Sequence, residues 1–317
     1  MDIVYGLEAF PRRREPTVLA LGTFDGVHRG HQRLVGTAIA RAREVGGRAV
    51  VLTFDPHPVQ VIAPPPEPFL LTTLDERLAL FEALGVDVAL VIRFDATVRE
   101  TSAETWVDML VQRIGPSDVF FSVDHTFGKD RGGTVELLRQ RGRVDGFAAH
   151  TVPLVRVGGT LVSSSMIRRL LRSGAVSDAA RYLGRWYAVS GVVVTGHHRG
   201  TTLGFPTANL QVPEAKVLPG RGAYAAFVDR EAGRHGSAVS VGTQPTFGPG
   251  PMVVEAHLLD FAGPLYGERL TIEFVDRLHD DIAFSGAEAL VRQLHDDVEA
   301  TRRRLGAVAV ERPWEIC

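Results

Sequence analysis

The chain has 317 residues, of which 45% are hydrophobic and 23% are charged, with a formal net charge of −2. This length favours two domains, the composition is typical of a soluble globular protein, and the charge balance lacks the basic excess that marks most nucleic-acid-binding proteins. The single cysteine, Cys317, excludes an internal disulfide framework or a cysteine cluster for zinc, and neither a signal peptide nor a membrane-length apolar run is present, so we expect a cytoplasmic protein without a membrane partner.

The first half of the chain alternates between short apolar runs and helical patterns. Strands are predicted at Val18–Leu21, Arg48–Phe54, Val86–Ile92, Val119–Val123 (the fourth strand) and His150–Val155. Helices are predicted at Gly30–Val45, Asp75–Leu84, Ser102–Ile114 and Thr134–Gln140. Ser102 is the expected N-cap of one helix and Gly85 the expected C-cap of another. Such alternation indicates a parallel sheet covered by helices on both faces, with ligands bound beyond the carboxyl ends of the strands.

The second half of the chain changes to a β-rich pattern. It follows two short predicted helices, Ser163–Arg172 and Val176–Leu183, and we place the domain boundary near Gly184, giving domains 1–184 and 185–317. Strands are predicted at Val189–Val194, Gly222–Val228, Ala238–Val241, Val253–Leu259 and Leu270–Val275. Because no helical pattern intervenes, these strands indicate an antiparallel barrel or sandwich. One long helix, Gly286–Leu305, closes the chain.

A glycine-rich turn with two histidines lies between the first predicted strand and the first predicted helix. Its residues 22–31 have the sequence GTFDGVHRGH. Glycines there let the backbone approach a phosphate, and the start of the helix adds the positive end of its dipole. The imidazole N–H groups of His28 and His31 would stabilise charge that builds up as a triphosphate is split. The alternative is a plain strand-to-helix turn with two exposed histidines. The H-x-G-H pattern after F-D-G favours the nucleotide site, and it resembles the signature of the HxGH-type nucleotidyltransferase superfamily.

Three further segments narrow the family. They are TFDPHP at residues 53–58, FGKDRGG at 127–133 and VSSSMIR at 162–168. Each is weak alone, and the serines of the third segment would serve equally well as a helix N-cap. In this order the segments resemble those of the bacterial bifunctional flavokinase/FAD synthetase family, and the resemblance covers essentially the whole chain.

The resemblance implies the chemistry of the first domain. An α/β, Rossmann-like nucleotidyltransferase would let the phosphate of FMN attack the α-phosphorus of ATP, giving FAD and pyrophosphate, with Mg²⁺ neutralising charge. The implied catalytic residues are His28, His31 and Arg168. The other implied ATP contacts are Gly22, Phe24, Asp25, Gly26, Gly30, Ser164 and Ser165. The implied flavin contacts are Asp55, His57, Asp124 and His125.

A second motif, LGFPTANL at residues 203–210, follows the first strand of the β-rich half. Its backbone amides, hydroxyl and side-chain amide suit phosphate oxygens and a hard cation, although Thr207 and Asn209 alone would more often form a simple turn. The whole string resembles the riboflavin kinase module, whose fold is a small β-barrel. The resemblance implies that Gly204 and Pro206 contact ATP, that Thr207 and Asn209 also hold Mg²⁺, and that Glu255 takes the proton from the 5′-hydroxyl of riboflavin. The alternative for Glu255 is an outward-facing residue of an amphipathic strand.

Several positions depart from the family pattern. They are His125, where an aromatic residue is usual beside the flavin, and His197, Thr201, Gln244 and His279. We expect His125 to weaken FMN binding and to add a group that can become charged near neutral pH.

Three hypotheses remain open. The chain is an ordinary synthetase, a specialised paralogue that acts on a modified flavin or related phosphate, or a flavin- or nucleotide-binding protein without turnover. The retained Glu255 counts against the third, because binding alone does not require a general base. The expected partners are the small molecules riboflavin, FMN and ATP, with FAD as product, and a homo-oligomer is left open.

Overall fold

The computed structural model describes residues 1–195, 204–243, 252–282 and 286–308. The chain forms two compact units, one of Met1–Ser164 and one that begins at Ser165. Among the described residues, no helix is both long enough and apolar enough to span a bilayer. His197, Thr201 and Gln244, three of the departures from the family pattern, lie outside the described residues.

The first unit contains a six-stranded parallel sheet. Its strands are β1 (Asp2–Tyr5), β2 (Thr17–Leu21), β3 (Arg48–Asp55), β4 (Val88–Arg93), β5 (Asp118–Ser122) and β6 (Ala148–Val152). They lie in the order β1-β4-β3-β2-β5-β6, so the chain builds outward from β2 first on one side and then on the other. The loops that follow β2 and β5 therefore diverge, which opens a crevice at the carboxyl edge of the sheet, where ligands bind in folds of this type.

Helices cover both faces of this sheet, as predicted. They are α1 (Arg29–Glu44), α2 (Pro58–Ile62), α3 (Leu74–Leu84), α4 (Ala96–Arg99), α5 (Ala103–Arg113) and α6 (Val135–Asp145), and a small hairpin follows of β7 (Arg156–Val157) and β8 (Thr160–Leu161). Side chains alternate along β2, so Val18 belongs to the core under α1 and α3, whereas Leu19 belongs to the core under α5.

Two predicted helix ends are confirmed. The hydroxyl oxygen of Ser102 accepts the N–H of Thr105 and caps the start of α5. Gly85 ends α3 in the left-handed conformation that favours glycine.

The second unit is a closed antiparallel barrel with flanking helices, which decides between the predicted barrel and sandwich. Two helices precede it, α7 (Ser164–Arg172) and α8 (Val176–Leu183), and α9 (Ala287–Gly306) follows it. The strands are β9 (Tyr187–Val194), β10 (Ala208–Gln211), β11 (Gly222–Arg230), β12 (Gly233–Thr243), β13 (Met252–Leu258) and β14 (Arg269–Asp280). The order around the barrel is β10-β13-β12-β11-β14-β9.

Two strands were not predicted. β1 is an edge strand with mostly exposed side chains, so it has no continuous apolar run, and its presence makes Val119–Val123 part of the fifth strand and not the fourth. β10 lies inside the LGFPTANL motif, where glycine, proline and asparagine indicate a turn. β12 and β14 are also longer than predicted, because pairing with neighbouring strands extends them through polar residues.

We predict that a fragment beginning at Ser165 is more stable than one beginning at Arg185. The amide of Gly220 donates to the carbonyl of Leu171 at 2.8 Å, and Ala180 of α8 packs against the cluster formed by Trp186, Ala225, Val275 and Leu305. Removing α7 and α8 exposes this surface and is expected to lower the free energy of unfolding by about 2 kcal/mol or more, the scale of one buried aliphatic side chain.

Urea unfolding of both fragments measures this difference. Equal unfolding midpoints would mean that α7 and α8 add nothing to the second unit and would support the boundary predicted near Gly184.

Candidate active sites

A cavity of about 870 Å³ lies at the carboxyl edge of the parallel sheet. Its wall takes residues from the ends of five strands or from the positions just after them: Gly22, Phe54, Phe94, Asp124 and Pro153. The volume is within the range of small-molecule sites, and the position is the one that strand order favours.

The cavity brings together eight of the residues predicted for the first site. They are Gly22, Phe24, His28, Gly30, His31, Asp124, His125 and Ser164. Four predicted residues of the same unit are absent from its wall, namely Asp25, Gly26, Asp55 and His57. Ser165 and the buried Arg168 belong to the second unit, so their roles at this site stay predictions.

The turn after β2 passes through left-handed backbone. Phe24 has a φ of 53°, Gly26 of 82° and Val27 of 37°. This conformation costs a side-chain-bearing residue about 1–3 kcal/mol, and a β-branched residue such as Val27 adopts it rarely. The fully buried Phe24 ring contacts His31 and Phe81, with ring centroids 5.3 and 5.6 Å apart, and so anchors the turn in the core.

Asp25 holds this turn from the side away from the cavity. Its buried carboxylate accepts the backbone N–H of Leu71 at 2.9 Å and the N–H of Thr72 at 3.0 Å. The hydroxyl oxygen of Thr72 in turn accepts the N–H of Gly26 at 3.0 Å. The Asp25 side chain therefore fixes the turn, and its predicted contact with ATP phosphates is not formed by a group that faces the cavity. His57 likewise acts locally, because its Nδ1 accepts the N–H of Val59 and caps α2.

His28 and His31 stand together at the start of α1. Their rings are stacked, with centroids 3.6 Å apart. His28 is the N-cap of α1, and its Nδ1 accepts the N–H of His31 at 3.3 Å. A neutral His28 ring that accepts at Nδ1 carries its proton on Nε2, which leaves an N–H to donate to an anion. The wall beside α1 therefore joins imidazole donors to the positive end of a helix dipole.

Ser164 closes this part of the wall. Its hydroxyl donates to the backbone carbonyl of Asp25 at 2.9 Å, so it braces the same turn. Direct donation from Ser164 to a phosphate, as predicted, requires that this bond be exchanged.

His125 lies among aromatic rings. Its ring centroid is 6.0 Å from that of Phe121 and 5.8 Å from that of Phe127. Burial lowers the pKa of His125 to about 4, and the negative charge of Asp124 opposes this shift only in part. The expectation that His125 becomes charged near neutral pH is therefore wrong, because the desolvated ring stays neutral there.

Aromatic residues of the wall were missed by the sequence analysis. Phe54 contacts Phe94 and Trp106, with ring centroids 5.6 and 5.9 Å apart, and all three line the cavity. Phe54 ends a predicted strand and Phe94 follows another, so the rule that ligands bind at strand ends would have found both.

An exposed ion pair also went unpredicted. Lys129 Nζ lies 2.7 Å from a carboxylate oxygen of Glu100, and it joins two loops of the cavity wall. Hydrogen bonding to Lys129 lowers the pKa of Glu100.

The predicted residues of the second unit lie on and beside β10 and β13. Asn209 of β10 is directly opposite Glu255 of β13, which in turn is opposite Ser240 of β12. Directly opposite residues have Cβ atoms about 4.5–5.5 Å apart, so these three side chains form one row. Val254 and Ala256 are buried on the other face of β13, which leaves the half-buried Glu255 directed away from the barrel interior.

The segment before β10 is held against β13. His257 Nδ1 lies 2.9 Å from the carbonyl oxygen of Pro206, and the ring of Phe205 contacts the ring of His257 at 5.4 Å. This supports a structural role for His257. Gly204, with a φ of 86°, and the half-buried Thr207 belong to the same segment.

Oxygen atoms dominate the candidate cation site of this unit. Within the described ranges, no group of three or more His, Cys, Asp or Glu side chains is arranged to hold a metal ion. Thr207 and Asn209 offer a hydroxyl and an amide oxygen, which are ligands that suit a hard cation already bound to phosphates.

Comparisons with known proteins agree for both units. Residues 10–166 match the family model for FAD synthetase, and residues 183–305 match the model for riboflavin kinase. The chain is 35% identical to the bifunctional riboflavin kinase/FMN adenylyltransferase of Pseudomonas fluorescens, over 95% of this chain and 97% of that protein. It is 33% identical to the protein of the same description from Bacillus subtilis (strain 168), over 90% of this chain and 92% of that protein.

A solved structure has a closely similar fold. It is the crystal structure of a protein from Streptococcus pneumoniae described as a macrolide-efflux protein, with a TM-score of 0.86 and 29% identity. The match covers 95% of this chain and 99% of that one. The efflux description is that protein's own, and the two chains are alike in fold and sequence.

We predict that His125 gives the protein a specific pH dependence of stability. Its pKa of about 4 in the folded state is below the usual 6.5, so between these values the unfolded chain binds the proton more readily. The free energy of unfolding should therefore fall as the pH is lowered from 6.5 towards 4. His125→Phe should remove this part of the slope and leave the dependence above pH 6.5 unchanged.

Urea unfolding of both proteins across this pH range measures the effect. Parallel curves for the wild type and His125→Phe would show that His125 is not buried as described.

Proposed function

The chain belongs to the family of bifunctional riboflavin kinase/FMN adenylyltransferases, and we propose that it makes FAD from riboflavin in two ATP-dependent steps. In the second unit, the 5′-hydroxyl of riboflavin attacks the γ-phosphorus of ATP and yields FMN and ADP. In the first unit, the phosphate of FMN attacks the α-phosphorus of ATP and yields FAD and pyrophosphate. The observation that carries the second step is the stacked pair His28–His31 at a helix start on the wall of the cavity.

In the adenylyl transfer, His28 and His31 donate hydrogen bonds to the ATP phosphates. The negative charge on these oxygens is redistributed as pyrophosphate leaves, and donors that are already oriented stabilise it without reorganisation. The aromatic side of the cavity, formed by Phe54, Phe94 and Trp106, suits the flat ring system of a flavin. Holding the two substrates in line accounts for the remaining acceleration, and no covalent intermediate is required.

In the phosphoryl transfer, Glu255 is the general base. Its carboxylate lies beside Asn209 on a rigid strand pair, which sets its position relative to a phosphate bound at the LGFPTANL segment. Mg²⁺ held by Thr207 and Asn209 supplies charge neutralisation on the phosphates when bound.

We predict that His28→Ala or His31→Ala lowers FAD formation by about 100-fold, the effect of losing one charge-stabilising donor. FMN formation from riboflavin should continue, because its residues lie on another unit. Chromatography of the products from riboflavin, FMN, ATP and Mg²⁺ measures both rates.

His150→Ala is the matched control. His150 is a histidine of the same unit that pairs with Asp118 at 2.9 Å and does not line the cavity. Equal loss of both activities in His28→Ala, or equal loss in His150→Ala, would contradict the assignment.

We predict the opposite pattern for Glu255→Gln. Removing a general base typically costs about 10²–10⁴-fold in rate, so FMN formation should fall by this amount while FAD formation from supplied FMN stays unchanged. Glu273→Gln controls for the loss of a strand carboxylate, since Glu273 lies on β14 and pairs with Arg234 at 2.7 Å. Full kinase activity in Glu255→Gln would rule out Glu255 as the base.

A further inference from the structure

A buried arginine lies behind the cavity wall. Arg77 of α3 is 2% exposed, and burial lowers the pKa of its guanidinium. Its Nη1 donates to the carbonyl oxygen of Thr23 at 2.6 Å, and its Nη2 donates to the carbonyl oxygen of Phe54 at 3.1 Å. Burying this cation is costly, so its two backbone acceptors need a reason to be held.

Both acceptors belong to the cavity wall. Thr23 and Phe54 line the cavity at the carboxyl ends of the adjacent strands β2 and β3. The Thr23 carbonyl also accepts the hydroxyl of Thr53 at 2.9 Å. Two donors therefore fix the first peptide of the turn that continues through Phe24 and Val27 to His28.

The geometry of the guanidinium explains why arginine stands at this position. A planar fork can donate to two carbonyl groups on neighbouring strands at the same time, whereas the single ammonium of lysine is a compact point charge. Asp25 binds the backbone at Leu71 and Thr72, just before α3, so the turn is attached to one short segment, residues 71–77, at both of its ends.

We propose that Arg77 is a positioning residue for the adenylyl transfer. It fixes the Thr23 carbonyl, and so holds the left-handed turn in the conformation that presents His28 and His31 to the ATP phosphates. Arg77 does not line the cavity and acts through the turn. This inference rests on the proposed FMN adenylyltransferase function.

The test compares Arg77→Met and Arg77→Lys with Arg48→Met. Arg48 is a matched control, because it is also a buried arginine of the same sheet, but it donates to Pro11 and Thr17 at the amino end of β2 and does not line the cavity. Arg77→Met should lower kcat for FAD formation by about 100-fold, the scale of a misplaced catalytic group, with much smaller changes in KM. Arg77→Lys should lose less, because one carbonyl can regain a donor. FMN formation and the activity of Arg48→Met should stay at wild-type level.

Hydrogen exchange of peptides covering residues 22–31 gives a readout that does not depend on activity. Faster exchange is expected in the Arg77 variants and not in Arg48→Met. Thr53→Val, which removes the other donor to the Thr23 carbonyl, should lower kcat in the same direction and provides the test if Arg77→Met does not fold.

Unchanged kcat and exchange in Arg77→Lys and Thr53→Val, or equal kcat losses in Arg77→Met and Arg48→Met, would overturn the inference. A wild-type protein that makes no FAD would instead refute the proposed function, and the exchange data would still report whether Arg77 holds the turn.

Discussion

Residues 22–28 pass from a parallel strand into a helix through left-handed backbone, and the neighbouring elements of the first unit are arranged to hold them there. Phe24 and Val27 each carry a backbone cost of about 1–3 kcal/mol. The opposing stabilisation comes from the core around Phe24 and from the buried carboxylate of Asp25, which would cost several kcal/mol if its oxygens lacked donors. Displacing the Leu71–Thr72 backbone would therefore leave a buried charge without donors, so the turn and that backbone are fixed together.

The second unit positions its candidate residues by a different physical device. Asn209, Glu255 and Ser240 lie in one row because the registers of β10, β13 and β12 align them. A slip of one residue in either pairing would turn Glu255 into the barrel interior and bring Val254 out. The buried Val254 and Ala256 prevent such a slip, since their exposure would remove apolar surface from the core. Core packing of the barrel thus sets the position of the polar row.

Local patterns predicted much of this arrangement, and long-range contacts explain the rest. The strand-turn-helix around His28 and the caps at Ser102 and Gly85 depend on residues close in sequence, so they were accessible. Asp25 was assigned to phosphate because it lies inside the motif, although its partners are 46 and 47 residues away. A carboxylate repels a phosphate, and charge alone gave reason to look for another partner. The contacts of Arg77 span 54 and 23 residues and leave no local signal.

The neutral state of His125 bears on which hypothesis for the substrate is favoured. A cation at this point of the wall would have indicated a substrate with an additional negative charge. The ring instead lies beside Phe121 and Phe127, and burial keeps it uncharged at neutral pH. A neutral imidazole is planar and still packs against aromatic groups, although it is smaller than phenylalanine. The wall thus keeps the aromatic character that an unmodified flavin requires, which favours the ordinary synthetase over a paralogue specialised for a modified flavin.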